Sequence, residues 1–443
     1  MAGVIGFGID RVAREADNAT GRWPVLRLEN LDTDLPLPPE AVPATAAALA
    51  TPKANSWLPF TGDDDLRAAV CELLAGRCGH AYDPATEIVI TSGGTEAALD
   101  CLLATVDPGD EVILTDPTYA GLVNRVRLAG GVPHFVPYQV VQGEWRLDRH
   151  ALAAAVSPRT TVMLLMSPSM PSGAVLDAGD WHEIARLCRE HNLLLIYDGA
   201  MEMILFDQRP LLHPIRQPGM TERTLVIGSL SKEFRMIGWR VGWVAGPRAL
   251  IEAVGWAHVY NTTTPVGIAR AGATAVLRGD HAHVSECVTE LQRRRDLICA
   301  TGLPFIRPAG GWSLLLDVAA LGRDPAEVSR ALLRDAAIAA TPMTGWGADV
   351  AARHVRFVYS AEPLERLHTL PERLAAAGLR PSLPSPEAGQ SLVVNPGGIA
   401  DRGTGLPRAG PAIRSCSADR RRGEPHRGVV AGAVEHQRLV TKG

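Results

Sequence analysis

The chain has 443 residues, 46% of them hydrophobic and 21% charged, enough for two domains with cores of their own. A formal net charge of -4 supplies no positive field for nucleic acid. Seven dispersed cysteines without CxxC pairs match neither a zinc pattern nor a disulfide framework.

Such thiols suit a reducing cytoplasm. No stretch approaches the roughly 20 apolar residues of a membrane helix, and Met1 to Ala19 lacks the apolar run of a secretory leader. A cytoplasmic protein with no membrane and no nucleic-acid partner is expected. Gly6-Phe7-Gly8 follows no strand and lacks a third glycine, so it is no dinucleotide fingerprint.

From Glu87 to about Leu277, short apolar runs alternate with amphipathic stretches. Strands are predicted at 87–91, 111–115, 132–136, 161–165, 193–197, 224–227 and 241–245, with helices at 95–105, 118–129 and 181–191. Strands separated by helical spacers give an α/β domain with a mostly parallel, covered sheet. From about His281 a long charged helix leads to short strands at 312–317, 338–341 and 355–359, with helices at 325–335 and 363–377. This reads as a smaller α+β domain, which the segment Arg22 to Glu40 crosses over to join. The expected division is an arm at 1–44 contributing to the small domain, a large domain at 45–278, the small domain at 279–378 and a tail at 379–443. The tail is rich in Pro, Gly, Ser and Arg and reads as disordered or as an unselected extension; Arg420-Arg421-Arg422 leaves a basic arm as the other reading.

Chemistry concentrates around Lys232, in Gly228-Ser229-Leu230-Ser231-Lys232 followed by Trp239-Arg240-Val241-Gly242-Trp243. An enclosed lysine beside a cation sheds its proton and can hold an aldehyde cofactor by its carbonyl. Ser92-Gly93-Gly94-Thr95 follows a strand and opens a helix, where backbone N–H groups favour an anion. With Ser229 and Arg240 it makes a phosphate site from separate parts of the chain. Asp198 ends the apolar run Leu193 to Tyr197, at the strand end that faces the ligand crevice of α/β folds. It reads either as a turn residue or as a partner for a pyridine nitrogen. Tyr119 is either a boundary aromatic or a ring that stacks on a cofactor. Arg356, in mid-strand in His354-Val355-Arg356-Phe357-Val358, needs an anion: a salt-bridge partner or a substrate carboxylate.

Ser229-Leu230-Ser231-Lys232 with Gly238-Trp239-Arg240-Val241-Gly242 resembles the class I/II aminotransferases, fold-type I pyridoxal-phosphate enzymes, over about Val25 to Ala377. The resemblance implies pyridoxal 5'-phosphate as cofactor, a large cofactor-binding domain and a homodimer with shared active sites. It makes Lys232 the Schiff-base lysine and proton shuttle, Asp198 the pyridine-nitrogen partner and Tyr119 the stacking ring. Gly93, Gly94, Thr95, Ser229 and Arg240 become the phosphate site, and Arg356 the carboxylate clamp. Trp57 falls where relatives lend a tyrosine to the neighbouring subunit's phosphate, and Trp312 where an aromatic lines the substrate pocket.

Two departures fall on one spot. The family's Asn-Pro-[Thr/Ser]-Gly turn is Met170-Pro171-Ser172-Gly173 here, and the tyrosine three residues after the aspartate is Met201. Both usual donors to the cofactor's phenolic oxygen are thioethers, which cannot donate. The imine on Lys232 is therefore expected to keep its proton to higher pH, unless Ser167, Ser169 or water replaces the donors. Nor is there a glycine in Leu28 to Asp34; Glu29 or Asp32 could read a cationic substrate group or simply be solvated or capping.

The implied activity is transfer of an amino group between an L-amino acid and a 2-oxo acid. A pyridoxal-phosphate lyase, dehydratase or cyclase uses the same carbanion and is the alternative. A non-catalytic relative is a third reading, opposed by the joint presence of Lys232, Asp198, Arg240 and Arg356. Trp57, Phe60, Trp312 and Trp346 lean toward apolar or aromatic substrates.

Overall fold

The computed structural model describes residues 4, 6 and 8–381. Apart from its first three residues, 379–381, the expected tail lies outside the described residues. An eight-stranded sheet dominates. In chain order its strands are β1 (Ile88–Thr91), β2 (Glu111–Asp116), β3 (Val132–Val141), β4 (Glu144–Leu147), β5 (Thr160–Met166), β6 (Leu194–Asp198), β7 (Thr224–Ser229) and β8 (Gly242–Ala245), arranged β1-β8-β7-β6-β5-β2-β3-β4. The five strands from β7 to β3 pair in parallel. β8 runs antiparallel to both β1 and β7. All residues of β1, β2 and β7 are buried, because helices cover both faces and a continuous apolar run is what such strands require.

The alternating pattern locates every predicted strand of this sheet. It misses β4, a four-residue hairpin partner of β3 registered Tyr138↔Leu147 to Val141↔Glu144. The site is framed by helices α1 (Gly94–Thr105), α2 (Ala120–Leu128) and α3 (Arg248–Asn261). The helix Ala178–Glu190 shows why the local sequence suffices. Asp177 accepts from the Asp180 N–H while the Asp180 side chain accepts from the Asp177 N–H, a reciprocal capping box.

A second, four-stranded antiparallel sheet holds β9 (Phe305–Ile306), β10 (Ser313–Asp317), β11 (Thr341–Pro342) and β12 (His354–Val358), in the order β9-β10-β12-β11. Its register sets Arg356 between Leu315 and Thr341. Leu26–Arg27, from the segment expected to cross over, pairs in parallel with Ile338–Ala339. Asp116 at the end of β2 accepts from the N–H groups of Val350 and Ala351, both at 2.9 Å. That carboxylate fixes the loop preceding β12 to the end of the large sheet.

Candidate active site

Asp198 ends β6, Ser229 ends β7, and Lys232 follows three residues later. The two strands are neighbours with Asp198 opposite Ile227, so their carboxyl ends deliver both side chains to one crevice. There a cavity of about 300 Å³ is lined by Gly94, Thr95, Tyr119, Asp198, Ser229, Ser231, Lys232 and Arg240, with an apolar remainder that includes Leu31, Met166, Met170 and Met201.

The phosphate end is built on the first turn of α1. Gly93 has φ 91°, and a Cβ there would collide with the Arg240 guanidinium. The backbone conformation favours glycine there, and the missing Cβ lets the guanidinium lie against the cradle. Arg240 Nη1 donates to the Ile237 carbonyl at 2.9 Å and the Ser231 hydroxyl at 3.3 Å, and Nη2 to the Ser92 carbonyl at 3.3 Å. Neutral oxygens orient this guanidinium. Its charge stays available to an anion beside the α1 N–H groups.

Lys232 Nζ donates to the Leu31 carbonyl at 3.3 Å and lies 4.3 Å from the Trp312 ring centre. Burial, then the cations Arg356 and Arg240, push its pKa down to about 7 against the opposing pull of Asp32 and Asp198. Burial pushes Asp198 up to about 6, opposed by the Ala200 N–H, Arg125 and Lys232. The Ala200 N–H donates to Oδ1 at 3.1 Å.

Tyr119 stands at the N-terminus of α2. A Cβ on Gly121 would strike its ring, so that glycine gives the ring its place. Tyr119 meets Trp346 edge-on at 5.7 Å, and Trp346 carries the Arg356 guanidinium 4.4 Å from its ring centre. Arg356 is fully buried; Nη2 donates to the Glu29 carbonyl and to Thr341 Oγ1 at 3.3 Å, while Nε and Nη1 have no partner among the described residues. Burial pushes its pKa down to about 9.

Arg356 and Trp312 stand behind the cavity wall, not in its lining. Trp57 is elsewhere, 70% exposed and edge-on to Phe60, and does not line this cavity. Glu29 is buried, with its carboxylate held by Arg27 at 2.6 Å, so it faces no substrate. Asp32 is exposed and accepts from the Thr33 N–H at 2.9 Å, a turn contact. Ser167 Oγ accepts from the Leu176 N–H, and neither Ser167 nor Ser169 lines the cavity. Sequence reasoning missed the platform role of Trp346, the space left by Gly121 and the proximity of Arg125 to Asp198. Each depends on a contact between segments, for which no local pattern exists.

The residues fit pyridoxal phosphate. A glycine cradle closed by an arginine suits its phosphate, a buried amine of lowered pKa its aldehyde, and a buried carboxylate its ring nitrogen. The parallel α/β sheet and this site define a fold-type I pyridoxal-phosphate enzyme. The chain belongs to the aminotransferase class I and II family, whose model matches residues 26–374.

A probable N-succinyldiaminopimelate aminotransferase of Mycobacterium tuberculosis is 34% identical over 360 residues, 76% of this chain and 90% of that protein. An aromatic-amino-acid aminotransferase of Thermococcus litoralis is 31% identical over 325 residues, 72% of this chain and 82% of the other. The solved N-succinyldiaminopimelate aminotransferase of M. tuberculosis superposes with a TM-score of 0.79 at 31% identity, covering 84% of this chain and 98% of that one. The protein is accordingly a pyridoxal-phosphate-dependent aminotransferase, acting between amino acids and 2-oxo acids. Among the described residues, no helix is long and apolar enough to cross a membrane.

Proposed function

We propose that Lys232, Asp198, Tyr119 and Arg356 carry the transamination, and that the preferred donor is an L-amino acid with an apolar or aromatic side chain. The observation that carries the reading is the cavity lining. Its cations are Lys232 and Arg240, both already assigned, and beyond the cofactor-binding residues the lining is Leu31, Leu122, Ile237, Ala200, Met166, Met170 and Met201. A second substrate carboxylate finds no free cation there.

When bound, pyridoxal phosphate supplies an aldehyde and an electron-withdrawing ring. Lys232 Nζ, largely deprotonated above pH 7, is the amine that engages the aldehyde and then carries the substrate's α-proton. Asp198 holds a proton at the ring nitrogen. Tyr119 orients the ring face, and Arg240 with Gly93, Gly94, Thr95 and Ser229 anchors the phosphate. Arg356, behind the cavity wall with Nε and Nη1 unbonded among the described residues, is the cation assigned to the substrate carboxylate, and the Trp312 ring packs against Lys232 Nζ.

The molecule acts as a cytoplasmic homodimer with a large domain at 45–278 and a small domain at 279–378, joined by the 1–44 arm. Support for the dimer is an apolar surface no soluble monomer needs: Trp57, Phe60, Trp256, Tyr260, Val266 and Ile268 are all exposed. Trp57 then reaches the partner's site. Replacing Trp256 and Tyr260 by Glu should yield monomers in sedimentation; an unchanged dimer would remove this surface from the account.

The deciding experiment is an absorbance scan with single amino acids and no oxo acid. Loss of the resting band with stoichiometric oxo acid from Leu, Met or Phe supports the reading. Response to Asp or Glu alone overturns the donor class. A resting band that persists while ammonia appears overturns transamination.

A further inference from the structure

Directly beneath the phosphate cradle lies a buried charge cluster that the reaction does not use. His258, on α3, is fully buried, as is Asp100 on α1. His258 Nδ1 is 2.8 Å from Glu96 Oε1 and 3.6 Å from Asp100 Oδ2. Glu96 is the third residue of α1, and its other oxygen accepts the Ser92 N–H. Asp100 Oδ1 accepts from Asn261 Nδ2 at 3.1 Å. One histidine thus ties the first two turns of α1 to α3.

The charges need an explanation. A carboxylate near a helix N-terminus competes for the same N–H field that receives a phosphate. Two of them, Glu96 and Asp100, stand one and two turns into the cradle helix. Each would repel a bound dianion through the low-dielectric interior. A cation between them cancels part of that repulsion. Strand β1, packed under α3, holds no charged residue; among the described residues the charged partners of His258 are Glu96 and Asp100, both at Nδ1, while Nε2 is buried with no partner. Across the cradle, Arg240 caps the phosphate side and Arg125 Nε donates to the Thr95 carbonyl at 2.5 Å. A metal ion fits the cluster less well, since Nδ1 and Oε1 at 2.8 Å are at hydrogen-bond distance and share a proton.

We propose that His258 is a positioning residue for the phosphate cradle: its imidazolium bridges Glu96 and Asp100, fixing the first turns of α1 and screening their charge from the cofactor's phosphate. The inference rests on the phosphate site proposed above. Both carboxylates raise the imidazole pKa to about 9 despite its burial, which itself lowers it. The cation therefore persists through neutral pH. Asp100, driven up to about 6 chiefly by burial, is largely ionised at pH 7 beside it.

The test uses the full-length chain freed of cofactor, with pyridoxamine 5'-phosphate as probe and pyridoxamine as the phosphate-free control. Affinity is read by fluorescence from pH 6 to 8, as the ratio of variant to wild-type dissociation constants, which cancels the probe's own titration. In His258→Gln the ratio should climb about tenfold over that interval, as the unscreened carboxylates ionise. It should stay flat for pyridoxamine. The double variant His258→Gln/Asp100→Asn removes one carboxylate and should restore a flat ratio. A flat ratio in His258→Gln overturns the proposal, as does an equal rise for the phosphate-free control. Arg240→Gln separates the two readings: if it leaves the affinity for pyridoxamine 5'-phosphate unchanged, the phosphate site itself is misplaced. Should His258→Gln not fold, histidine-selective 15N NMR of the wild-type protein decides. Both ring nitrogens should remain protonated through pH 8, and a neutral imidazole at pH 7 overturns the proposal.

Discussion

Replacing Arg356 by Met should damage catalysis and leave the fold standing, and the structure gives both magnitudes. The guanidinium keeps Nε and Nη1 unbonded among the described residues. Two charge-assisted hydrogen bonds to a substrate carboxylate contribute roughly 1.5–3 kcal/mol each. Their loss should raise KM for amino acid and oxo acid by about 10²- to 10⁴-fold, with the smaller effect on kcat, because the carboxylate is held throughout. Stability runs the other way. Burial holds this arginine down at about 9, a cost of roughly 4–5 kcal/mol at 1.36 kcal/mol per pH unit. Against it stand the Trp346 contact, roughly 1–2 kcal/mol, and the bonds to Glu29 and Thr341, roughly 1–3 kcal/mol together. The sum is close to zero. The cofactor-free variant should melt within about 3 °C of wild type, while steady-state kinetics with both substrates show the KM change. A melt lowered by about 8 °C or more with KM unchanged would mean that Arg356 is a structural arginine and the reasoning is wrong.

Lys232→Met should abolish turnover and also report the buried amine. Because the lysine is held at about 7 instead of 10.5, its cost is fully present below pH 7 and fades as pH rises toward 10.5. The cofactor-free variant should thus outlast wild type in thermal melts at pH 6, with the gap closing toward pH 10; a gap that ignores pH refutes the assignment. Asp198→Asn should lower kcat/KM by roughly 10²–10³ with unchanged circular dichroism, and near-normal turnover would remove Asp198 from the ring nitrogen. Met170→Asn with Met201→Tyr restores two donors at the methionine wall. The pH at which the bound cofactor's absorbance changes should fall by about one unit, a shift of roughly 1.4 kcal/mol, and no shift would show that other donors already serve that oxygen.

The sequence carried the large sheet because each central strand is buried on both faces and so is written as one apolar run. β4 escaped because it is half-buried at a sheet edge, with the pattern intermediate, buried, intermediate, buried in only four residues. The 363–377 helix divides into Leu364–Leu367 and Leu370–Ala376, since Pro371 suits a helix start and cannot continue a preceding turn. Within the site, Lys232, Asp198 and the glycine cradle were legible from their place after strands. The support under them was not. Trp346 lies ten residues before Arg356 on an irregular loop, and only the Asp116 contacts with Val350 and Ala351 bring that loop under the guanidinium. His258 looked like any histidine in an amphipathic helix, since its meaning lies in Glu96 and Asp100, more than 150 residues earlier.

Charge compensation distinguishes the site from much of the scaffold. Elsewhere in this fold several enclosed arginines come with an acid, whereas Arg235 and Arg373 are held by carbonyls. Arg295 is paired with Asp207 at 2.7 Å, Arg294 with Asp34 at 2.6 Å, and Arg77 with both Glu202 and Glu233 at 3.0 and 2.7 Å. Each of these three is held above the ordinary arginine range, as expected where an opposite charge outweighs desolvation. Around the cavity the sign reverses. Lys232 and Arg356 are pushed down and Asp198 up, all chiefly by burial, and none forms an ion pair with the protein among the described residues. Lys232 and Arg356 even oppose each other. A scaffold selected for stability alone would pair these groups or replace them with apolar ones. Charges kept buried without an acid or base partner suit a ligand with the complementary pattern, and pyridoxal phosphate with an amino acid offers one: an anionic phosphate, a cationic ring nitrogen and a substrate carboxylate.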